Sequence, residues 1–191
     1  MLEARPQIIG SVVSAYVKEV ERRGLVERVR PRGGSELQKV LAKPPLPVSW
    51  VDAAAMADMA DAVAAEAGEG VLSEISFDAM RKSVGPVFGA VGRASVAIFR
   101  STPERVFRSI DSVTSLTCRG FTLAYDAVSP TSGTMRIAAV APLSAAYWIT
   151  WEGPLGYVYD LCKVGGTVKR EPVTGPSAQA QFRVEWSAGP E

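Results

Sequence analysis

A change of hydrophobic period in the last ninety residues constrains this chain more than any other feature. Thr102-Pro103-Glu104 is a helix start, because proline fits the first helical position and an acid in the first turn complements the helix dipole. Val106, Phe107, Ile110 and Val113 follow at three- and four-residue spacing, up to about Leu116. From Phe121 the period falls to two. Phe121, Leu123 and Tyr125 alternate with Thr122, Ala124 and Asp126, and beyond the turn Ser129–Gly133 a second alternation runs through Met135, Ile137 and Ala139. That pattern predicts a hairpin with a longer loop, Phe121–Val128 and Thr134–Val140. Ala180, Phe182, Val184 and Trp186 supply a third alternating run within Ala178–Ser187, after a helical segment near Trp151–Val164. Tyr147–Trp151 reads as a further strand or an extended connection. The expected class is α+β in two layers, with several N-terminal helices packed on a small antiparallel sheet formed by the C-terminal half.

Upstream, a helix is expected over Gln7–Arg23. Pro6 suits its first position and Gly24 a left-handed C-terminal cap. Leu25–Val29 reads as a short strand or turn, and Ser35 with Gln38 as a capping box for a helix over Glu36–Ala42. Lys43-Pro44-Pro45-Leu46-Pro47 is the sharpest break, a stiff connection that cannot lie inside a helix. Beyond it, Ser49 or Asp52 caps a helix reaching about Ala67, with Met56, Met59, Ala60 and Val63 inward and Asp58, Asp61 and Glu66 in water. Val71–Val84 is a second helix, with Leu72, Ile75 and Met80 inward. In Val87–Arg100 the glycines 85, 89 and 92 suggest close helix packing. This organisation divides the chain into an N-terminal helical extension, 1–43, a candidate dimerisation element, and a main domain, 44–191.

Charge is unevenly distributed although the net value is only +1. Residues 1–43 hold nine Lys/Arg against five Asp/Glu, whereas residues 44–80 hold seven acids and no base. Opposed charge would let these segments lie together or let two molecules meet head to tail, but solvated faces of different sign are the commoner arrangement. The basic cluster Arg22, Arg23, Arg28, Arg30 and Arg32 lacks interleaved aromatics, so no nucleic-acid partner is expected. No run of about 18 apolar residues predicts a membrane span. The start of the chain does not read as a secretory signal. Two cysteines, Cys118 and Cys162, make no disulfide framework, and a reducing cytoplasm is the expected location.

The chain contains no histidine. This removes Ser–His–Asp and Cys–His nucleophiles, histidine bases and histidine metal ligation, and with them most routes to catalysis. The acids Asp58/Asp61 and Asp111/Asp126 sit where helix faces carry solvated carboxylates, and Lys163 stands in no motif. The run Gly85–Ser95 lacks the lysine-serine ending of a phosphate loop and follows a helix rather than a strand. No enzyme activity, cofactor or metal site is therefore expected. The aromatics carry the remaining signal. Tyr147, Trp148, Trp151, Tyr157 and Tyr159 fall within thirteen residues. With Phe121 and Phe182 on the adjacent sheet they can line an apolar pocket for a small hydrophobic ligand, or they can simply fill the core between sheet and helices.

Several segments together carry a family resemblance: Trp50, Ala62-Val63, Arg100-Ser101-Thr102-Pro103, Tyr125–Thr134 and Phe182-Arg183-Val184-Glu185-Trp186. Over roughly residues 40–187 the chain resembles an uncharacterised, largely myxobacterial family. That family is similar to the haem-NO-binding, 4-vinyl-reductase and TRAPP-like superfamily. The resemblance implies helices packed on an antiparallel sheet, dimerisation through N-terminal helices, and sensing or scaffolding. Haem-binding relatives need a histidine and zinc-bearing relatives a cysteine cluster near the last helix and strand, where this chain has only Cys162. The expectation is a non-catalytic sensory or protein-interaction module, with a protein partner or a second copy of itself. Ile9, Val13, Tyr16, Val17 and Val20, one apolar stripe on the first helix, would form the homodimer interface. A purely structural adaptor with a filled core is the alternative, and a carboxylate- or lysine-dependent enzyme comes after it.

Overall fold

Three alternating stretches and one that the sequence concealed build the main sheet. In the computed structural model, which describes residues 5–82 and 102–187, strands β4 (Phe121–Ser129), β5 (Ser132–Leu143), β6 (Gly166–Arg170) and β7 (Ser177–Trp186) pair antiparallel in the order β4-β5-β7-β6. Opposed pairs such as Leu123↔Ile137, Met135↔Phe182 and Val168↔Val184 fix the register. Because successive side chains alternate, this register sends Leu123, Met135, Ile137, Ala180, Phe182 and Val184 to one buried face. Thr122, Arg136, Gln181 and Arg183 lie exposed on the other.

Two helices cover the buried face. Helix α6 (Pro103–Thr114) packs on β4 and β5, and α8 (Glu152–Cys162) packs on β6 and on α6. The Thr102 hydroxyl accepts from the Arg105 N–H, with Pro103 in the first turn, as its sequence predicts. Val113 is nevertheless exposed, and the buried face of α6 runs through Pro103 and Phe107 instead. Two close approaches seat the layer. The Tyr125 ring lies over Gly133 and the Tyr159 ring over Gly166, where a Cβ would collide with the aromatic ring.

The N-terminal region differs from its sequence reading in several places. Gln7–Ile9 is a strand, β1, held between β2 (Trp50–Asp52) and β3 (Cys118–Arg119) in a second antiparallel sheet. A three-residue strand is too short to show a period, so its apolar residues merge with those of the helix that follows. Helix α1 therefore begins at Gly10 and ends at Arg22. Pro6 precedes β1, and its carbonyl accepts from the Ala53 N–H. The C-terminal cap is as expected: Gly24 takes φ 67°, and the Leu25 N–H bonds back to the Val20 carbonyl at 3.0 Å. Val26–Val29 is a short helix, α2, followed by a 3-10 turn over Arg30–Arg32. Ser35 is the first residue of α3 (Ser35–Ala42) rather than its cap, and Gln38 bonds to the Arg30 carbonyl. The Asp58 carboxylate from the neighbouring helix lies against Gly34, at the start of α3.

Helix α4 (Ala53–Ala67), capped by Asp52 through the Ala54 N–H at 2.9 Å, is buried on nearly every side. Its alanines let α3, α2 and α7 (Ala145–Ile149) approach it. Helix α5 (69–82) follows, with Leu72, Ile75, Ser76 and Ala79 buried and Met80 only half-buried. The glycine-spaced segment expected as a further helix, Val87–Arg100, lies outside the described residues. Tyr147–Trp151 is not a strand: Ser144 caps α7 by accepting from the Tyr147 N–H, and tertiary burial overrides the strand-like composition. The segments 1–43 and 44–191 contribute to one continuous core, from Ile8 and Val13 to Val184 and Trp186.

The stripe expected as a dimer interface lies within that core. Val13, Tyr16, Val17 and Val20 are buried against the chain's own residues, and Ile9 is half-buried in β1 opposite Trp50. This stripe is not a surface open to a second copy. The opposed charges also meet inside the chain. Arg22 and Arg23 pair with Asp78 at 2.8 and 3.2 Å, Arg23 with Glu74 at 2.8 Å, and Arg28 and Arg32 with Glu66. The Arg28 and Arg32 guanidiniums hold the Glu66 carboxyl below its ordinary value, against burial.

Candidate functional site

The aromatic residues singled out in the sequence do not form one lined pocket. The structure sorts the rings into two groups. In the first, Phe121 stacks on Tyr147 at 6.1 Å between centroids and tilts against Trp151 at 5.7 Å, while Trp148 meets Tyr147 edge-on at 5.5 Å. The second is built around Phe107, which stacks on Tyr125 at 5.6 Å and also meets Tyr159 at 6.0 Å and Trp186 at 5.9 Å. Such offset and edge contacts stabilise aromatic interiors beyond the area they bury. Phe182 is fully buried on the inner face of the sheet opposite Met135, and Tyr157 is half-buried on α8. The sequence reading missed Phe107, Tyr125 and Trp186 as a group, since they come from three elements and no local spacing links them. Their inward positions in α6, β4 and β7 were the available signal.

Polar atoms in this interior are mostly satisfied. The Trp148 indole donates to the Ser177 carbonyl at 3.2 Å, and the Tyr159 hydroxyl to the Thr167 carbonyl at 2.8 Å. Of the ring residues just named, the Tyr125 hydroxyl and the Trp151 indole N–H are buried without a well-formed partner. The latter lies near the Tyr147 hydroxyl without making a hydrogen bond of good geometry.

Beside the first ring group, a polar node joins three helices. The Tyr16 hydroxyl of α1 meets Ser76 Oγ of α5 at 2.6 Å and the Thr150 carbonyl beyond α7 at 3.0 Å, and Ser76 donates to the same carbonyl. Two hydroxyl protons serve three contacts, so Ser76 donates to the Thr150 carbonyl while Tyr16 donates either to Ser76 or to that same carbonyl. Next to this node, Gly153 of α8 touches α5 directly, since a Cβ there would overlap Ser76 and the Phe77 amide.

These groups have little acid–base capacity at neutral pH. Burial pushes the phenols of Tyr16, Tyr147 and Tyr159 up, and the thiols of Cys118 and Cys162 up to about 11. The acids weighed for catalysis have structural partners. Asp111 accepts from the Leu123 N–H at 2.9 Å, Asp126 pairs with Arg136, and Asp61 lies near the Ser144 hydroxyl. Lys163 is an exposed residue in the left-handed conformation that ends α8, φ 56°. A surface depression of about 420 Å³ is lined by Arg23, Glu74, Phe77, Asp78 and Glu152. Its charged groups are already engaged with one another or with Ser73.

Solved structures match this arrangement along almost its whole length. An oxygen-binding H-NOX domain related to soluble guanylate cyclases aligns with a TM-score of 0.61 at 12% identity, over 95% of this chain and 96% of that one. A mutant H-NOX of T. tengcongensis gives 0.62 at 14% over 95% and 98%, and an unliganded Fe(II) H-NOX mutant of K. algicida gives 0.61 at 12% over 95% and 97%. The fold is that of an H-NOX domain. The alignment includes the helices before residue 44, in keeping with their place in the shared core. No protein-family model and no curated protein matches the chain, so the myxobacterial, 4-vinyl-reductase and TRAPP-like likenesses rest on the sequence resemblance alone.

H-NOX structures are described as haem proteins, which makes the donor set of this chain decisive. Haem iron takes an imidazole, a thiolate, a phenolate, or a thioether that accompanies an imidazole. This chain has no histidine, and residues 83–101 add no cysteine, methionine or tyrosine. Burial pushes both thiols up, which disfavours the thiolate, and the phenols of Tyr16 and Tyr159 are engaged in hydrogen bonds. Among the described residues no three His, Cys, Asp or Glu side chains converge on a metal position. Haem iron would thus find no imidazole here, and burial disfavours the thiolates and the phenolates of Tyr16, Tyr125, Tyr147 and Tyr159.

Proposed function

We propose that the protein is a non-catalytic sensory or protein-interaction module that uses the H-NOX frame without haem iron. The observation that carries this reading is the combination of that fold with a sequence devoid of histidine. Support for a role without turnover comes from the structural engagement of Asp111 and Asp126. Expression with added iron and haem precursor, followed by absorption spectroscopy and iron analysis, tests it. The expected product has no Soret band and iron far below one atom per chain. A stoichiometric Soret-absorbing protein would overturn the reading.

The ring-on-ring packing favours an adaptor whose interior is filled by its own side chains. A second reading, in which a small apolar ligand with a polar tip binds near the rings, is favoured by the unpartnered Tyr125 hydroxyl and Trp151 N–H. Native mass spectrometry after gentle purification separates the two. A retained small molecule supports the ligand, and the mass of the bare chain supports the adaptor.

A further inference from the structure

We propose that β4 is a pairing edge for a second copy of this chain, the two strands running antiparallel about a twofold axis at Tyr125. The inference rests on the interaction reading above and names the surface and its partner. β4 stands at one end of the order β4-β5-β7-β6, so one side of it has no neighbouring strand. It is also the longest edge strand among the described residues, nine residues against five in β6, three in β2 and two in β3. Short edges offer a foreign strand little to bind, whereas a long uncovered one presents a row of unpaired donors and acceptors.

Parity along the strand identifies the groups that face outward. The Val140 N–H donates to the Gly120 carbonyl at 2.9 Å, so Gly120, Thr122, Ala124 and Asp126 direct their N–H and carbonyl groups to β5. Phe121, Leu123, Tyr125 and Ala127 direct theirs away from the sheet. The Leu123 N–H follows this rule, since it leaves the sheet and donates to the Asp111 carboxylate at 2.9 Å. Beyond that point nothing among the described residues bonds the N–H of Tyr125 or Ala127, or the carbonyl of Leu123 or Tyr125. No proline, lysine or arginine blunts the strand, and its bulge falls after Ala127, past the free groups. Ala124, Asp126, Ala127 and Val128 are exposed.

Charge selects the occupant. A twofold axis at Tyr125 sets Tyr125 opposite the partner's Tyr125, Ala127 opposite the partner's Leu123, and Asp126 opposite the partner's Ala124. Tyr125 then exchanges both of its bonds with its equivalent, and the Ala127 N–H donates to the partner's Leu123 carbonyl, while Asp111 keeps the Leu123 N–H. On the outer face Ala124 has Arg136 beside it on β5, and Arg136 pairs diagonally with Asp126. The partner's Asp126 therefore lies two strand spacings from Arg136, roughly 10 Å between Cβ atoms, with only the Ala124 methyl between them. An extended arginine spans that gap, so each Asp126 is shared between its own Arg136 and the partner's Arg136. β4 carries no other charged residue, so the pairing sets no like charges opposite one another. An isologous contact of this kind closes at the dimer.

The test is sedimentation velocity of the full chain at low salt, up to about millimolar concentration, with amide hydrogen exchange at both ends of the range. A reversible dimer is expected, weakened by added salt, with the amides of Tyr125 and Ala127 protected only in the dimer. Asp126→Arg and Arg136→Asp should each weaken association by about tenfold or more, and the double exchange should restore it. Ala127→Pro, which removes an outward N–H and leaves the bonds to β5, should abolish dimerisation with an unchanged circular dichroism spectrum. The charge exchange decides independently of that variant. Leu46→Ala, at a side chain 71% exposed outside the sheet, should leave association unaltered. The proposal is overturned by a chain that stays monomeric throughout, by a dimer indifferent to Ala127→Pro, or by a double exchange no better than either single change. Iron content and absorbance are read separately, so failure here is distinguishable from failure of the haem-free reading.

Discussion

The helical region and the sheet region are held together by different physics. Around α1 and α5 the interior is threaded with polar and charged contacts: Tyr16 with Ser76 and Thr150, and Glu19 with Arg22 at 2.7 Å and Lys82 at 2.6 Å. Over the sheet the corresponding space is filled by Phe107, Tyr125, Tyr159, Trp186 and their neighbours. Aromatic packing gains from area and tolerates small adjustments, whereas a buried polar group costs heavily when its partner is removed. The helical region is therefore specified by pairing and the sheet region by volume.

The largest expected effect tests the helical side. Val13→Asp places an unpaired charge at a position with no solvent exposure, at a cost above about 3 kcal/mol. Urea denaturation should show a largely unfolded chain, and a stable folded monomer would restore the interface role expected from the sequence. On the sheet side, Phe107→Ala removes the hub of the second ring group and should cost about 3–5 kcal/mol. A loss nearer 1 kcal/mol would mean that the rings collapse around the gap. Gly153→Ala, at the junction of the two regions, forces α8 away from α5 and should cost about 1–3 kcal/mol by thermal or chemical unfolding. An unchanged midpoint would show that the helices have room to separate. Tyr16→Phe keeps the ring and the Ser76 bond to Thr150, so a loss of about 1 kcal/mol is expected.

The smallest effect is a slope. Burial pushes the Glu19 carboxyl up, but hydrogen bonds from Lys82 and Arg22 outweigh it and hold the group below the ordinary carboxylate value. Its contribution is complete above the unfolded-state pKa and is lost as pH falls through the lower folded value. Burial raises Asp61 instead, so the folded state binds that proton first and is favoured as the pH falls. Glu19→Gln should flatten the acid-side loss of stability and Asp61→Asn should steepen it, measured as unfolding midpoint against pH. Parallel curves for the two variants would contradict this account.

Long elements with one clean period were legible from the residues. The Thr102–Pro103 start of α6, the β4–β5 hairpin and β7 lie within a few residues of their expected ends, because each repeats its signal over three or more turns or pleats. β1, β3 and β6 were not legible, being short strands whose identity depends on distant partners. Helix α7 misled for another reason, since Tyr147-Trp148-Ile149 has strand-like composition and only the Ser144 cap and its burial make it helical. Of the candidate site, the burial of Tyr147, Trp148, Trp151 and Phe182 was readable as apolar spacing. The existence of a second ring group was not, because Phe107 is brought to its centre beside Tyr125, Tyr159 and Trp186 by tertiary packing alone.

The contact between Gly153 and Ser76 has a mechanical consequence. Side chains between two helices absorb displacement by changing rotamer, as a cushion absorbs load. At this crossing the α8 glycine meets the α5 backbone directly, and the nearby hydroxyl of Ser76 is tied to Tyr16 and Thr150. A shift of α8 imposed from the sheet side thus has no compliant layer to dissipate it before it reaches α5 and α1. The crossing behaves as a rigid pivot.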